Sequence, residues 1–358
     1  MFPLHKLPYL VQLNVLSVMA PFELYYITLF LPDFRTIARK LRYSEDDAGA
    51  FYDGNSAIGL QNRETSKFEP LIQWKCVNQV MKNVKINGRR IECQIVPKVI
   101  DKKDRQIDRY IAISCLPEDH EWLSNTLWNH LYEIFPLLPP EIDLVASNES
   151  LTHIPETRPI QKFHLGDAGG LSDKLTVKAS DVDTFFDTHT VSEYFCLKSK
   201  LEGDLRLDSK VLDVQTLIIL KSENVTSQHV LNFKGKNLIL VFPKFESSGI
   251  IKMINAWIKG EVLQNLELLM FKGNLKPIDE QLILAEFNPR IWNPKERAGR
   301  FISKTVAPFY PVKENFDPFD CTNAWDIRRE SDGMLASLRM FERCYISFFV
   351  WKDRFPSE

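Results

Sequence analysis

The 358-residue chain predicts a mixed fold of the α+β or α/β class. It should open on three short helices, continue through a mixed region into alternating strands and helices, and close on an antiparallel β element. Three observations carry this. Apolar residues recur at helical spacing between prolines over residues 2–42. From about Leu151, short aliphatic runs recur roughly every 20 to 30 residues, with amphipathic stretches between them. Trp325 to Trp351 alternates in polarity around an Asp332-Gly333 turn. The expected division is residues 1–43, a connecting region 44–150, and a third region 151–358.

The first helix opens at Leu7-Pro8, because proline at a first helical position loses no needed hydrogen bond. Val11, Val15 and Met19 follow at spacing four, with Leu10, Leu13, Leu16 and Val18 beside them, so this helix is apolar almost all round. Ala20-Pro21 breaks it and starts a second helix, in which Phe22, Leu24, Tyr25, Ile27 and Leu29 repeat the excess. A third helix is expected from about Asp33 to Leu41, with Asp33 as its N-cap. Three helices this short cannot cover so much apolar surface with one another. The surplus must meet either the rest of the chain or a partner.

The order of residues here closely resembles the F-box of the large nematode F-box family. The matching run is Phe2-Pro3-Leu4, Leu7-Pro8, Val11, Val15-Leu16, Met19, Pro21-Phe22-Glu23-Leu24 and Ile27. Beyond Leu29 the chain departs from that pattern. Phe30 to Phe34 replace the family's serine, cysteine and basic run, and Pro32 forces a break before the last helix. The resemblance implies docking to a Skp-type adaptor and, through it, to a cullin. It implies a partner surface at Leu7, Pro8, Val11, Val15, Leu16, Met19, Pro21, Leu24 and Ile27. Binding there is by burial of apolar helix side chains in a groove.

Residues from about Ser44 to Pro70 are polar and carry Gly49, Gly54 and Gly59 without a clear period, so a linker or irregular loop is expected. Val84 to Ile86 and Arg89 to Cys93 flank Asn87-Gly88 and predict a β-hairpin. Arg109 to Cys115 predicts a further strand. Pro117 starts a helix with Trp122, Leu123, Leu127, Leu131, Ile134 and Phe135 on one face, stopped by Pro136.

In the second half, strands are expected at Leu175–Val177, Leu205–Leu207, Leu217–Leu220, Leu238–Val241 and Leu266–Met270. Helices should lie at Asp181–Phe186, Thr226–Phe233 and Ser247–Ile258. The spacing is leucine-rich-repeat-like, although the asparagine or cysteine ladder of regular repeats is missing; a doubly wound α/β domain has the same alternation. Val211 to Phe271 and Trp325 to Gly333 also resemble the F-box associated domain, type 2, of the same nematode proteins. Trp257 and Gly260 are the most distinctive matches, as a core anchor and a helix-ending glycine.

Composition bounds the function. With 44% hydrophobic and 26% charged residues, the chain has apolar mass for more than one core. A net charge of −2 gives no pull toward nucleic acid or an anionic membrane. Lys102, Lys103 and Arg105 are broken by Asp101 and Asp104 and read as a solvated loop. No apolar run approaches ~18 residues, and His5, Lys6, Gln12 and Asn14 interrupt any leader-like core.

The six cysteines, Cys76, Cys93, Cys115, Cys196, Cys321 and Cys344, have no metal-knuckle spacing. Free thiols in a reducing cytoplasmic or nuclear compartment are expected, with the sequons at Asn148 and Asn224 unused. No catalytic signature, cofactor loop or metal motif is present. Gly166 to Gly170 reads as a turn, and Glu118, Asp119, His120 and Glu121 as an acidic helix start. Trp74, Trp122, Trp128 and Trp292 lack the basic groove of a base-stacking platform.

The leading expectation is therefore a non-catalytic, substrate-recruiting subunit of a ubiquitin ligase with an unknown target protein. The alternatives are an interaction scaffold with a degenerate F-box, and an α/β enzyme with an unrecognised site.

Overall fold

The computed structural model describes residues 4–41, 46–53, 55–62, 68–78, 83–86, 89–101, 107–135, 142–148, 150–151, 154, 159–166, 176–273, 278–302, 319–341 and 345–356. The chain is mixed α and β and divides into two compact units, Met1–Gln161 and Lys162–Glu358. The three N-terminal helices and the connecting region fold together in the first unit.

That unit begins with α1 (Tyr9–Ser17), α2 (Pro21–Phe30), a 3-10 turn (Pro32–Phe34) and α3 (Arg35–Ala38). Strands β1 (Asp46–Asp53), β2 (Asn55–Asn62), β3 (Phe68–Cys76), β4 (Asn83–Ile86), β5 (Arg89–Asp101) and β6 (Ile107–Cys115) follow. Helix α4 (Pro117–Ile134) and β7 (Ile142–Ala146) complete it. The sheet order is β7-β1-β2-β3-β6-β5-β4. The hairpin strands β4 and β5 pair antiparallel as expected, while their turn, Asn87-Gly88, lies outside the described residues. So do Lys102, Lys103, Arg105 and the helix-stopping Pro136.

Two expectations fail in this unit. Residues 46–53 and 55–62 are not a loop; β1 and β2 pair antiparallel, and β1 pairs in parallel with β7 from Ala48↔Ile142 to Tyr52↔Ala146. Ser56 to Leu60 are all buried, so β2 is covered on both sides and shows no alternation. The third helix is also shorter than expected. Asp33 sits inside the 3-10 turn rather than capping a helix, and only four residues of α3 follow it. Pro32 forces that break, since the residue before a proline avoids helical backbone.

The second unit contains β8 (Ile160–Leu165, from Lys162 onward), β9 (Thr176–Lys178), α5 (Ala179–Thr188), β10 (Val191–Leu197), β11 (Lys200–Glu202) and β12 (Thr216–Ile219). Next come α6 (Ser227–Leu231), β13 (Asn237–Val241), α7 (Ser247–Ile258), β14 (Leu268–Lys272) and α8 (Glu280–Phe287). Short strands β15 (Arg290–Ile291), β16 (Arg300–Phe301) and β17 (Phe319–Asp320) precede β18 (Trp325–Arg328), β19 (Leu335–Phe341) and β20 (Tyr345–Val350).

Strands β10, β12, β13 and β14 are parallel and stand side by side in chain order. Among these parallel strands the order never reverses, so they contain no doubly wound switch point. Strand β14 then pairs antiparallel with β20, followed by β19 and β18, which gives the expected antiparallel close. Leu205 to Leu207 is not a strand. The strand is β10, and the Leu205 carbonyl instead accepts a hydrogen bond from His229 Nε2 at 2.8 Å.

Three asparagines bridge segments of successive strand–helix units. Asn224 Nδ2 donates to the Leu201 carbonyl (3.1 Å), Asn232 Nδ2 to Leu207 (2.8 Å) and Asn265 Nδ2 to Lys234 (3.0 Å). Their spacing is irregular, which hides them in the sequence.

Both faces of this sheet are covered. Tyr194, Cys196, Ile218, Leu220, Ile239 and Met270 pack beneath Phe301, Cys321 and Ala324 of the C-terminal stretch. On the helix side, Phe245 meets Phe271 and Trp257 meets Phe348, with ring centroids 4.8 and 4.9 Å apart. Double coverage explains strands that read as unbroken aliphatic runs. Trp257 is fully buried, and Gly260 ends α7 at φ 73°, where a Cβ would stand 2.5 Å from Ser331 Oγ.

A buried ion pair holds the C-terminal cover. Arg297 Nε and a terminal nitrogen donate to Asp326 at 2.8–2.9 Å, and another terminal-nitrogen bond reaches the Cys321 carbonyl. Ser337 Oγ donates to Asp326, and Trp351 Nε1 to Ser337 Oγ. Removing one partner would strand a charge that water cannot reach. Asp326→Ala should therefore destabilise the chain by about 3–5 kcal/mol, measured as a lower urea midpoint against the unaltered chain.

Candidate docking surface

Helix α1 forms because Pro8 ends the preceding turn and Leu10 to Leu16 favour helix without an interior glycine or proline. It begins one residue later than expected, at Tyr9. Helix α2 starts at Pro21 as expected, and the Glu23 carboxylate accepts the Ala20 N–H at 3.1 Å. That bond satisfies an otherwise unpaired donor at the helix start.

Helix α2 is locked to α4 through polar atoms. Tyr25 Oη donates to the Leu127 carbonyl at 2.8 Å. Thr28 Oγ1 donates to the Leu24 carbonyl at 2.8 Å, which leaves it an acceptor toward His130 Nε2 at 3.0 Å. His130 Nε2 also faces the Tyr25 carbonyl at 3.2 Å, so these two acceptors place the proton on Nε2. The Tyr25 and His130 rings meet edge to face at 4.9 Å. On the rim, Arg35 and Arg39 both bond to Glu133.

This docking sorts the nine residues expected at a partner surface. Leu16 and Leu24 are fully buried within the chain. Leu7, Val15, Met19, Pro21 and Ile27 are half-buried, while Pro8 and Val11 are exposed. Tyr9, Leu10, Val18, Tyr26 and Leu31 were not among the nine, and all are exposed, Val18 to 83% and Leu10 to 69%. Six of the twelve exposed large apolar side chains of the described residues thus fall between Tyr9 and Leu31. Helix α1 carries apolar residues on every side, so spacing alone could not tell its inward from its outward residues.

The second unit carries a groove of about 610 Å³ lined by residues such as Leu207, Asp208, Leu263 and Glu261, with a Lys234–Asp213 ion pair at 2.8 Å. Its lining comes from the loops that lead into β12, β13 and β14, at the N-terminal ends of the parallel strands. Parallel α/β enzymes bind substrates at the opposite, C-terminal ends. Among the described residues no group of three or more His, Cys, Asp or Glu side chains is placed to hold a metal ion. No described helix is long and apolar enough to cross a membrane. Asp119, in the acidic helix start, accepts a bond from Arg89 at 3.0 Å, and Trp74 and Trp128 are buried. No family model, curated protein or solved structure matches the chain.

His130 makes the α2–α4 contact pH-dependent. Burial pushes its imidazole down to about 4, helped by the Arg35 guanidinium and opposed by the Tyr25 carbonyl and Glu133. A histidine with a depressed folded-state value binds its proton more readily when unfolded, so its contribution is complete above about pH 6.5 and falls away toward pH 4. Between pH 7 and 4.5 the stability difference between the unaltered chain and His130→Gln should shrink by roughly 2 kcal/mol. Urea titrations of both proteins at the two pH values check this.

Proposed function

We propose that this chain is a substrate-recruiting subunit of a Skp–cullin–F-box type ubiquitin ligase. Its N-terminal helices would dock a Skp-type adaptor, and its second unit would hold the target protein. The observation that carries the reading is the concentration of exposed apolar side chains on residues 9–31, a segment whose residue order resembles the nematode F-box. Isolated exposed leucines are ordinary, but a cluster of this kind on one helical segment marks an interaction site.

Tyr9, Leu10, Val11 and Val18 are the anchors we assign to the adaptor, with Pro8 and Tyr26 beside them. A few such residues carry most of the energy of a helix-in-groove contact. Leu16 and Leu24 then act indirectly, by holding the helices on their own unit. In the second unit, we read the sequential strand–helix units as leucine-rich-repeat-like and related to the F-box associated domain. The sheet face opposite the helices is covered by the chain itself, so the target would meet the rim, where the groove beside Glu261 and Leu263 lies. Bond-making belongs to other subunits; this one raises the local concentration of target lysines near the conjugating enzyme.

A scaffold with a degenerate F-box is the second reading, and the four-residue α3 after Pro32 favours it. Co-expression separates the two. Leu10→Asp with Val18→Asp should leave the fold unchanged and reduce recovery of a Skp-type adaptor at least tenfold, since burying either charge costs well over 1 kcal/mol. Equal recovery with and without the substitutions sinks the docking assignment. Leu16→Asp would not serve, because it buries a charge in the chain's own core.

A further inference from the structure

The cysteines are far apart in sequence, yet the first unit gathers three of them on adjacent strands. Cys76 of β3 is the parallel register partner of Cys115 of β6. Cys93 of β5 is the antiparallel register partner of Cys115 on its other side. Register partners on neighbouring strands stand about 4.8 Å apart at Cα, inside the window a disulfide requires. In a parallel pair they also present their side chains on the same face of the sheet. The Cys115 thiol reaches across to β3, donating to the carbonyl of Lys75, the residue before Cys76, at 3.7 Å.

Access differs sharply between the two. Cys76 is exposed, whereas Cys115 is completely buried beside it. The Val77 N–H donates to the Cys115 carbonyl at 2.9 Å, which holds the end of β3 against β6 just before the start of α4. An exposed thiol backed by a buried neighbour is the arrangement in which an oxidised sulfur is resolved within the chain.

We propose that Cys76 and Cys115 form a reversible redox pair that a hydroperoxide converts to an intramolecular disulfide. The Cys76 sulfur attacks one peroxide oxygen, the O–O bond breaks, and water leaves (alcohol for an organic hydroperoxide), giving a sulfenic acid. The Cys115 sulfur then attacks the Cys76 sulfur; the S–O bond breaks, and the Cys115 proton leaves with the hydroxyl as water. Two thiols are oxidised by two electrons, and one peroxide is reduced. Burial pushes the Cys76 thiol up, and the Cys115 hydrogen bond draws it back. The first step is accordingly slower than at an activated thiolate, which suits a response to sustained rather than trace oxidant. The bond would tie β3 to β6 at the foot of α4 and raise thermal stability through the closed loop.

The test uses the folded full-length chain and hydrogen peroxide. The expected result is a 2 Da loss in intact mass, a link between the peptides carrying Cys76 and Cys115, reversal by dithiothreitol and a Tm higher by several degrees. Cys115→Ser should instead trap Cys76 as a sulfenic acid captured by dimedone. If that variant fails to fold, Cys76→Ser should lose the link and leave Cys115 reduced. A link from Cys115 to Cys93, or a chain that gains oxygen without losing 2 Da, would overturn the proposal. So would a link that forms no faster in the folded than in the urea-unfolded chain.

Discussion

The first unit depends on the hydrogen bonding of Tyr25 and Thr28 to α4. Tyr25 Oη reaches the Leu127 carbonyl, and His130 Nε2 closes the network against the Tyr25 carbonyl and Thr28 Oγ1. Buried polar groups are costly unless paired, so these bonds fix one rotation of α2 rather than a family of them. That rotation turns Leu24, Tyr25 and Leu29 inward and leaves Tyr26 and Leu31 outside. Helix α1, separated from α2 by Val18 to Ala20, contributes only Leu16 as a fully buried residue and shows most of its length to solvent. The hold on α2 thus decides which of its own apolar side chains, Tyr26 and Leu31 at its end, stay exposed.

Much of this was legible in the sequence, for particular reasons. Helices α2 and α4 carry proline at their first positions, followed by an apolar run in α2 and an apolar face at helical spacing in α4, so their starts could be placed from local chemistry. Strands β12, β13 and β14 are aliphatic runs with amphipathic stretches between them. Strands β1 and β2 were not legible. They pair with each other, but β1 is also held by β7, some ninety residues away in the chain, and β2 by β3, and no local pattern encodes those pairings. The candidate site divided in the same way. Helical spacing found the surplus of apolar residues on α1, but not that Leu16 faces in and Leu10 faces out. Nor could cysteine spacing reveal that Cys76, Cys93 and Cys115 share a register row, because strand order alone creates it.

The second unit has a different economy of surfaces. Its parallel strands run in sequence without reversal, and helices cover one face while the chain's C-terminal stretch covers the other. The Arg297–Asp326 pair, capped by Ser337 and Trp351, holds that cover where a purely apolar contact could slide. A sheet sealed on both sides offers recognition only at its rims. This sets the unit apart from an open repeat array, whose concave sheet is the binding face.

The central claim is that residues 9–31 are a docking surface for a Skp-type adaptor. Hydrogen–deuterium exchange of the full chain, with and without purified adaptor, tests it most directly. The account predicts a one-to-one complex in which slowed exchange concentrates on Tyr9 to Leu31, with α4 and the second unit unchanged. No complex at micromolar concentrations, or protection that leaves α1 exchanging as in the free chain, would contradict it.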